Sequence, residues 1–174
     1  QTKNTEEIDL AVGLLGASIY FSSGDENISV NVSTLEKNFE KTLVLVEEML
    51  LQPRWDEEQF ALAKSRVINN LKRNAASPDY LASSNLNKLI FGDNILAMDA
   101  SGTEKTVSSI TINDLKDYYN KYLSPSISKF LIAGDIEKQR VEKGLVNLNK
   151  NWPAKKVEVP TFTLPVPPSK SKIY

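Results

Sequence analysis

The sequence predicts an α+β fold of two layers, a small and mostly antiparallel sheet with helices packed on one face, incomplete at its N-terminus. Three observations predict it. Two short segments alternate apolar and polar residues across a polar turn, which is the pattern of a half-buried hairpin. Most of the remaining chain repeats apolar residues every three or four positions, which is the pattern of amphipathic helices. Each helix pattern is also punctuated by a polar cap in front or by glycine or proline behind.

The elements follow in order. Asn4 with Glu7 makes a capping box. Ile8, Val12 and Leu15 mark the apolar face behind it, and Gly16 stops the helix. Ile19 and Phe21 alternate with Ser18, Tyr20 and Ser22, giving a strand over 17–23. After the turn Gly24-Asp25-Glu26-Asn27, Ile28, Val30 and Val32 alternate with Ser29, Asn31 and Ser33. Ser33 with Glu36 is expected to cap the next helix, whose stripe is Phe39, Leu43, Val46 and Leu50 and whose end is set by Pro53.

Asp56 with Gln59 opens a longer helix with Phe60, Ala63, Val67 and Leu71 on one face. Lys64, Arg66, Lys72 and Arg73 are expected on its wet side. Ser77-Pro78 is an N-cap with a first-turn proline, ahead of Leu81, Leu86, Leu89 and Ile90 and the stop at Gly92. Residues 93–106 read as loop. Thr111 with Asp114 caps a helix carrying Tyr118, Tyr119 and Tyr122. Lys129–Ala133 is expected as a third strand, and residues 136–149 as a last helix with Val141, Leu145 and Leu148. Five prolines between Pro153 and Pro168 then mark an extended arm, so the domain reading is a module over 1–152 and a Pro-rich linker over 153–174. Three strands are few for so many helices, and the sheet is expected to draw further strands from outside this stretch.

The 174 residues contain no histidine and no cysteine. Histidine is the usual general base near neutral pH and the commonest metal ligand. Its absence, with that of cysteine, excludes a Ser-His-Asp triad, a Cys-His dyad and His- or Cys-based zinc sites built from this chain alone. Charge is balanced, with 21 basic and 22 acidic residues, which argues against a dedicated nucleic-acid surface. No apolar run approaches a membrane span. The chain opens on Gln1 rather than methionine, and is read as a processed or excised piece.

The remaining candidates have ordinary explanations. Glu47-Glu48 and Glu57-Glu58 are adjacent on helices and point about 100° apart, so neither converges into an acid/base pair. Asp25 and Glu26 are turn residues, without the alternating oxygen ligands and central glycine of a calcium loop. The glycines do not form a phosphate-binding fingerprint. The three tyrosines at helical spacing suit a packed face better than a base- or sugar-stacking platform. A carboxylate-based hydrolase therefore has only unpaired acids behind it.

Several phrases carry a likeness: Leu14-Leu15-Gly16-Ala17-Ser18, Thr34-Leu35-Glu36-Lys37-Asn38-Phe39, Glu48-Met49-Leu50-Leu51-Gln52-Pro53-Arg54-Trp55 and Pro78-Asp79-Tyr80-Leu81-Ala82. Asn87-Lys88-Leu89-Ile90-Phe91-Gly92, Gly102-Thr103-Glu104, Tyr118-Tyr119 through Tyr122-Leu123-Ser124-Pro125, Gly134-Asp135 and Trp152 continue it. In order and spacing over about 140 residues the chain resembles the insulinase/pitrilysin family of zinc metallopeptidases. The resemblance implies repeated α/β modules in two halves that close around a peptide. One half carries zinc on an inverted His-x-x-Glu-His motif, with a later helix-borne glutamate as the third protein ligand.

This chain departs from that pattern twice. It has no His-x-x-Glu-His, and Asn70 falls where the glutamate is expected. The resemblance thus implies a non-catalytic module with no catalytic, cofactor-binding or metal-binding residue of its own. Zinc is expected only in the catalytic half of the parent, a zinc metalloendopeptidase. The implied partners are a sister module or catalytic half and a peptide substrate, with no nucleic acid and no membrane span. A second copy pairing through an exposed sheet edge is a further expected partner of this fragment. An extracytoplasmic location, in the bacterial periplasm, is what the resemblance suggests. The competing reading is a structural or assembly subunit of the same fold with no peptidase attached.

Overall fold

A computed structural model describes residues 3–24, 26–163 and 165. The order is a helix α1 (Thr5–Leu14), a hairpin of β1 (Ser18–Ser23) and β2 (Ile28–Ser33), then α2 (Phe39–Leu51), α3 (Glu57–Ala75) and α4 (Pro78–Phe91). It continues with α5 (Glu104–Ser109), α6 (Ile112–Tyr122) and α7 (Lys138–Asn151). This is the expected α+β class, mostly helical with a small antiparallel sheet. The chain divides into two compact units, Gln1–Trp55 with Tyr119–Val157, and Asp56–Tyr118 with Glu158–Tyr174.

In the first unit the Asn4–Glu7 capping box forms in both directions, at 2.8 and 2.9 Å. Gly16 takes φ +58°, a left-handed conformation that suits glycine and turns the chain into β1. The hairpin pairs Ile19 with Val32, Phe21 with Val30 and Ser23 with Ile28. The alternate pairs are Ser18 with Ser33, Tyr20 with Asn31 and Ser22 with Ser29, so one face is apolar and the other polar. Asp25 of the expected turn lies outside the described residues.

The core of this unit is the crossing of α2 and α7. Phe39, Leu43 and Val141 are buried together, with Ile136 and Leu145 packed against them. Arg140 of α7 reaches across to Glu36 and Glu40, its Nη2 donating to Glu40 Oε2 at 2.7 Å. That pairing corrects the expected Ser33–Glu36 capping box. Ser33 is the last residue of β2, Leu35 stands at the cap of a short 3-10 turn without a side-chain bond, and Glu36 is drawn to Arg140.

The expected third strand is also corrected. Lys129–Ala133 forms no ladder, because no strand among the described residues lies alongside to accept its backbone. Phe130, Leu131 and Ile132 are all exposed, Leu131 by 89%. Lys155, in the stretch expected as an arm, is held by Ser124, a buried hydroxyl that donates to its backbone oxygen at 3.0 Å and accepts from its N–H at 3.2 Å. Residue 164 and residues 166–174 of the expected arm lie outside the described residues.

In the second unit, Leu71, Val107 and Ile112 are buried. Ser77 caps α4, which has proline at its start and ends at Gly92 with φ +57°. Residues 93–106, expected as loop, hold a short 3-10 turn and the first residues of α5. Thr103 and Thr106 form the capping box of α5, with serine-like hydroxyl chemistry in place of the usual glutamate. The apolar residues of α4 point largely to solvent, with Leu81, Leu86, Leu89 and Ile90 between 45% and 55% exposed.

Candidate functional site

The position expected for a zinc-ligand glutamate lies on α3. This helix is well specified locally. Asp56 accepts the N–H of Gln59 at 2.9 Å, Glu57 and Glu58 sit in the first turn, and Lys72 and Arg73 sit in the last. Each charge opposes the helix dipole at its own end. The helix then presents Arg66, Asn69, Asn70 and Arg73 at spacings of three and four, one stripe along the surface.

Asn70, expected at the glutamate position, is exposed on this stripe. Its side-chain oxygen accepts a hydrogen bond from the Nη2 of Arg73. Arg66, Asn69, Asn70, Lys72 and Arg73 line an open hollow. Lys72 pairs with Glu104 of α5 at 3.2 Å, and both side chains are more than half exposed.

This donor set does not fit a zinc ion. Zinc takes carboxylate, imidazole or thiolate, and here it would meet two guanidiniums, an ammonium and neutral amides. Among the described residues there is no group of three or more acidic side chains that could hold a metal. The sequence reading singles out Asn70 through resemblance alone and says nothing there of its cationic surround. The signal was available, because Arg66 and Arg73 stand four before and three after Asn70 in the helix.

The other candidates separate in the structure. Glu48 accepts from Lys3 Nζ at 2.6 Å, while Glu47 accepts from the side-chain amide of Asn151. The two neighbours therefore serve different contacts. Tyr119 donates its hydroxyl to the carbonyl of Leu50 at 2.8 Å and packs edge-on against Trp55, with ring centroids 5.5 Å apart. Burial raises its pKa. Tyr119 is a packing residue, while Tyr118 of the same cluster is 55% exposed, so the three tyrosines do not form one packed face.

Lys64 departs from expectation. It is half-buried, and its ammonium donates to the carbonyls of Ser108 and Ile110, both at 2.7 Å. These oxygens lie at the C-terminal end of α5, where carbonyls lack helical partners.

Residues 109–174 match the peptidase M16 inactive domain. The chain is 24% identical over 164 residues to a Bacillus subtilis (strain 168) protein named uncharacterized zinc protease YmxG. It is 23% identical over 158 residues to the Helicobacter pylori protein named non-peptidase homolog YmxG. It covers 40% and 37% of the lengths of these two relatives, against 92% and 90% of its own.

The fold matches a peptidase M16 inactive domain from Pseudomonas fluorescens with a TM-score of 0.81 at 20% identity, over 95% of this chain and 40% of that one. It matches a protease from Helicobacter pylori with a TM-score of 0.72 at 19% identity, over 95% of this chain and 40% of that one. The periplasmic protease PqqL from Escherichia coli matches with a TM-score of 0.73 at 16% identity, over 94% of this chain and 19% of that one. The resemblance to the insulinase/pitrilysin peptidases is therefore carried in sequence by the match over residues 109–174 and over the whole chain by the fold.

Proposed function

We propose that this chain is a non-catalytic module that forms one wall of a peptide-enclosing chamber, with zinc chemistry supplied by a sister module. The observation that carries this reading is the donor set at Asn70. The place expected for a metal-binding carboxylate holds an amide bonded to Arg73, between further cations. A chain with this fold and no histidine binds and shapes rather than cleaves. The apolar residues left exposed on α4 support a partner module, since contiguous apolar surface usually marks an interaction site. In this reading 1–152 is the packing module and the Pro-rich 153–174 is the connecting arm.

The test is zinc titration of the purified chain by calorimetry, before and after mixing with a His-x-x-Glu-His module from the same genome. The expected result is no stoichiometric uptake by this chain alone and unchanged uptake by the partner in the complex. Tight one-to-one zinc binding by this chain alone would overturn the reading.

A further inference from the structure

We infer that the hollow on α3 is a carboxylate receptor for an acidic peptide segment. This deepens the reading of the chain as a peptide-facing wall and rests on it. All five lining residues, Arg66, Asn69, Asn70, Lys72 and Arg73, bring hydrogen-bond donors, and three of them are cations. The acceptor atom of Asn70 is already engaged by Arg73, which leaves its two amide hydrogens as the available group. Among the described residues Arg66 makes no ion pair, and Lys72 pairs with the exposed Glu104.

The chain as a whole carries a net charge of −1, so this local excess of positive charge is not a by-product of a basic composition. Guanidinium matches the planar, two-oxygen geometry of a carboxylate better than an ammonium does. Arg66 and Arg73 are separated by about 10 Å along the helix axis, at about 1.5 Å per residue. Acidic side chains at alternate positions of an extended peptide are about 7 Å apart, within reach of two long arginine arms. The structure thus favours an extended peptide with glutamate or aspartate at alternate positions.

Fluorescence anisotropy on the full 174-residue chain tests this with labelled, C-terminally amidated Ala-Glu-Ala-Glu-Ala and its Gln counterpart. The Glu peptide should bind at least about tenfold more tightly, and the double substitution Arg66→Gln, Arg73→Gln should remove that preference. Because both arginines are exposed, circular dichroism should show the variant folded as before. The Gln peptide with a free C-terminal carboxylate separates the two sources of the group. If it binds as well as the Glu peptide, the receptor reads a chain terminus and the acidic side-chain assignment is overturned. Equal binding of Glu and amidated Gln peptides, no binding of either, or equal binding of a single-stranded oligonucleotide overturns the inference as well. Each of these results leaves the module reading standing, since that reading is decided by zinc uptake and partner assembly.

Discussion

Gly144 of α7 lies directly against Phe39 of α2. A Cβ built on Gly144 would sit 3.0 Å from Phe39 Cε1 and 3.1 Å from Leu43 Cδ2. Both neighbours are buried core residues, so the helices approach here because the side chain is missing. Gly144→Ala gains about 1 kcal/mol of helix propensity and loses about 1–3 kcal/mol to overpacking. The net expectation is a loss of roughly 1 kcal/mol in urea unfolding, and a larger loss for Gly144→Val. A stabilised Val variant would show that the crossing has room that the geometry denies.

Lys64 offers a second test. Its ammonium donates to two carbonyls at the end of α5, and it stands two helical turns before the buried Leu71, on the same face of α3. Lys64→Met keeps the stem and removes the charge. It should cost about 1–2 kcal/mol, since each partner then turns to water or stays unsatisfied. Hydrogen exchange should rise in residues 104–110 more than in α3. Uniform exchange along both helices would place the role of Lys64 elsewhere.

How far the sequence showed this molecule depends on where partners lie. The caps at Asn4, Asp56, Ser77 and Thr111 were legible because cap and partner are three residues apart. The hairpin was legible because its period of two is local. Glu36 was misread because its true partner, Arg140, is more than a hundred residues away. Lys64 was misread because a cation is normally a solvent residue, and only the end of α5 gives it a reason to be covered. The strand at 129–133 was legible as an apolar segment but not as a paired one, since pairing needs a neighbour that pattern alone does not supply. Asn70 was singled out only by the family resemblance, and its bond to Arg73 emerged only from the helix surface.

Tyr80 and Asp99 set a pH-dependent contact in the second unit. The Tyr80 hydroxyl donates to Asp99, whose carboxylate also accepts from the backbone of Ser101 at 2.7 Å. The Tyr80 bond is the larger cause of the lowered Asp99 pKa, and the Ser101 bond adds to it. The same bond to Asp99 is the main cause of the raised Tyr80 pKa. A lowered carboxylate pKa gives stability that is present above its ordinary value and lost as pH falls through the depressed one. A raised tyrosine pKa gives stability that is lost only as pH climbs above about 10. Thermal unfolding of Tyr80→Phe should therefore fall below wild type at pH 7, and the gap should close below about pH 4. A gap of constant size across that range would remove Asp99 ionisation from the account.

The segment Lys129–Ala133 carries the last prediction. Apolar residues on both faces are the pattern of a strand buried on both sides. Yet among the described residues its backbone N–H and C=O groups make no hydrogen bond. Such an edge pairs with whatever strand it meets. Antiparallel pairing with a second copy about Ile132 sets Lys129 opposite Asp135 and Leu131 opposite Ala133, matching charge with charge and large with small. The isolated chain should therefore dimerise at high concentration in sedimentation equilibrium. Leu131→Pro removes one backbone donor and fixes φ, and should return the chain to monomer without altering its helical circular dichroism. Since Leu131 is 89% exposed, the substitution disturbs no core contact. A wild-type chain that stays monomeric, or a proline variant that dimerises as well as wild type, would place self-association on another surface, with the exposed face of α4 the next to test.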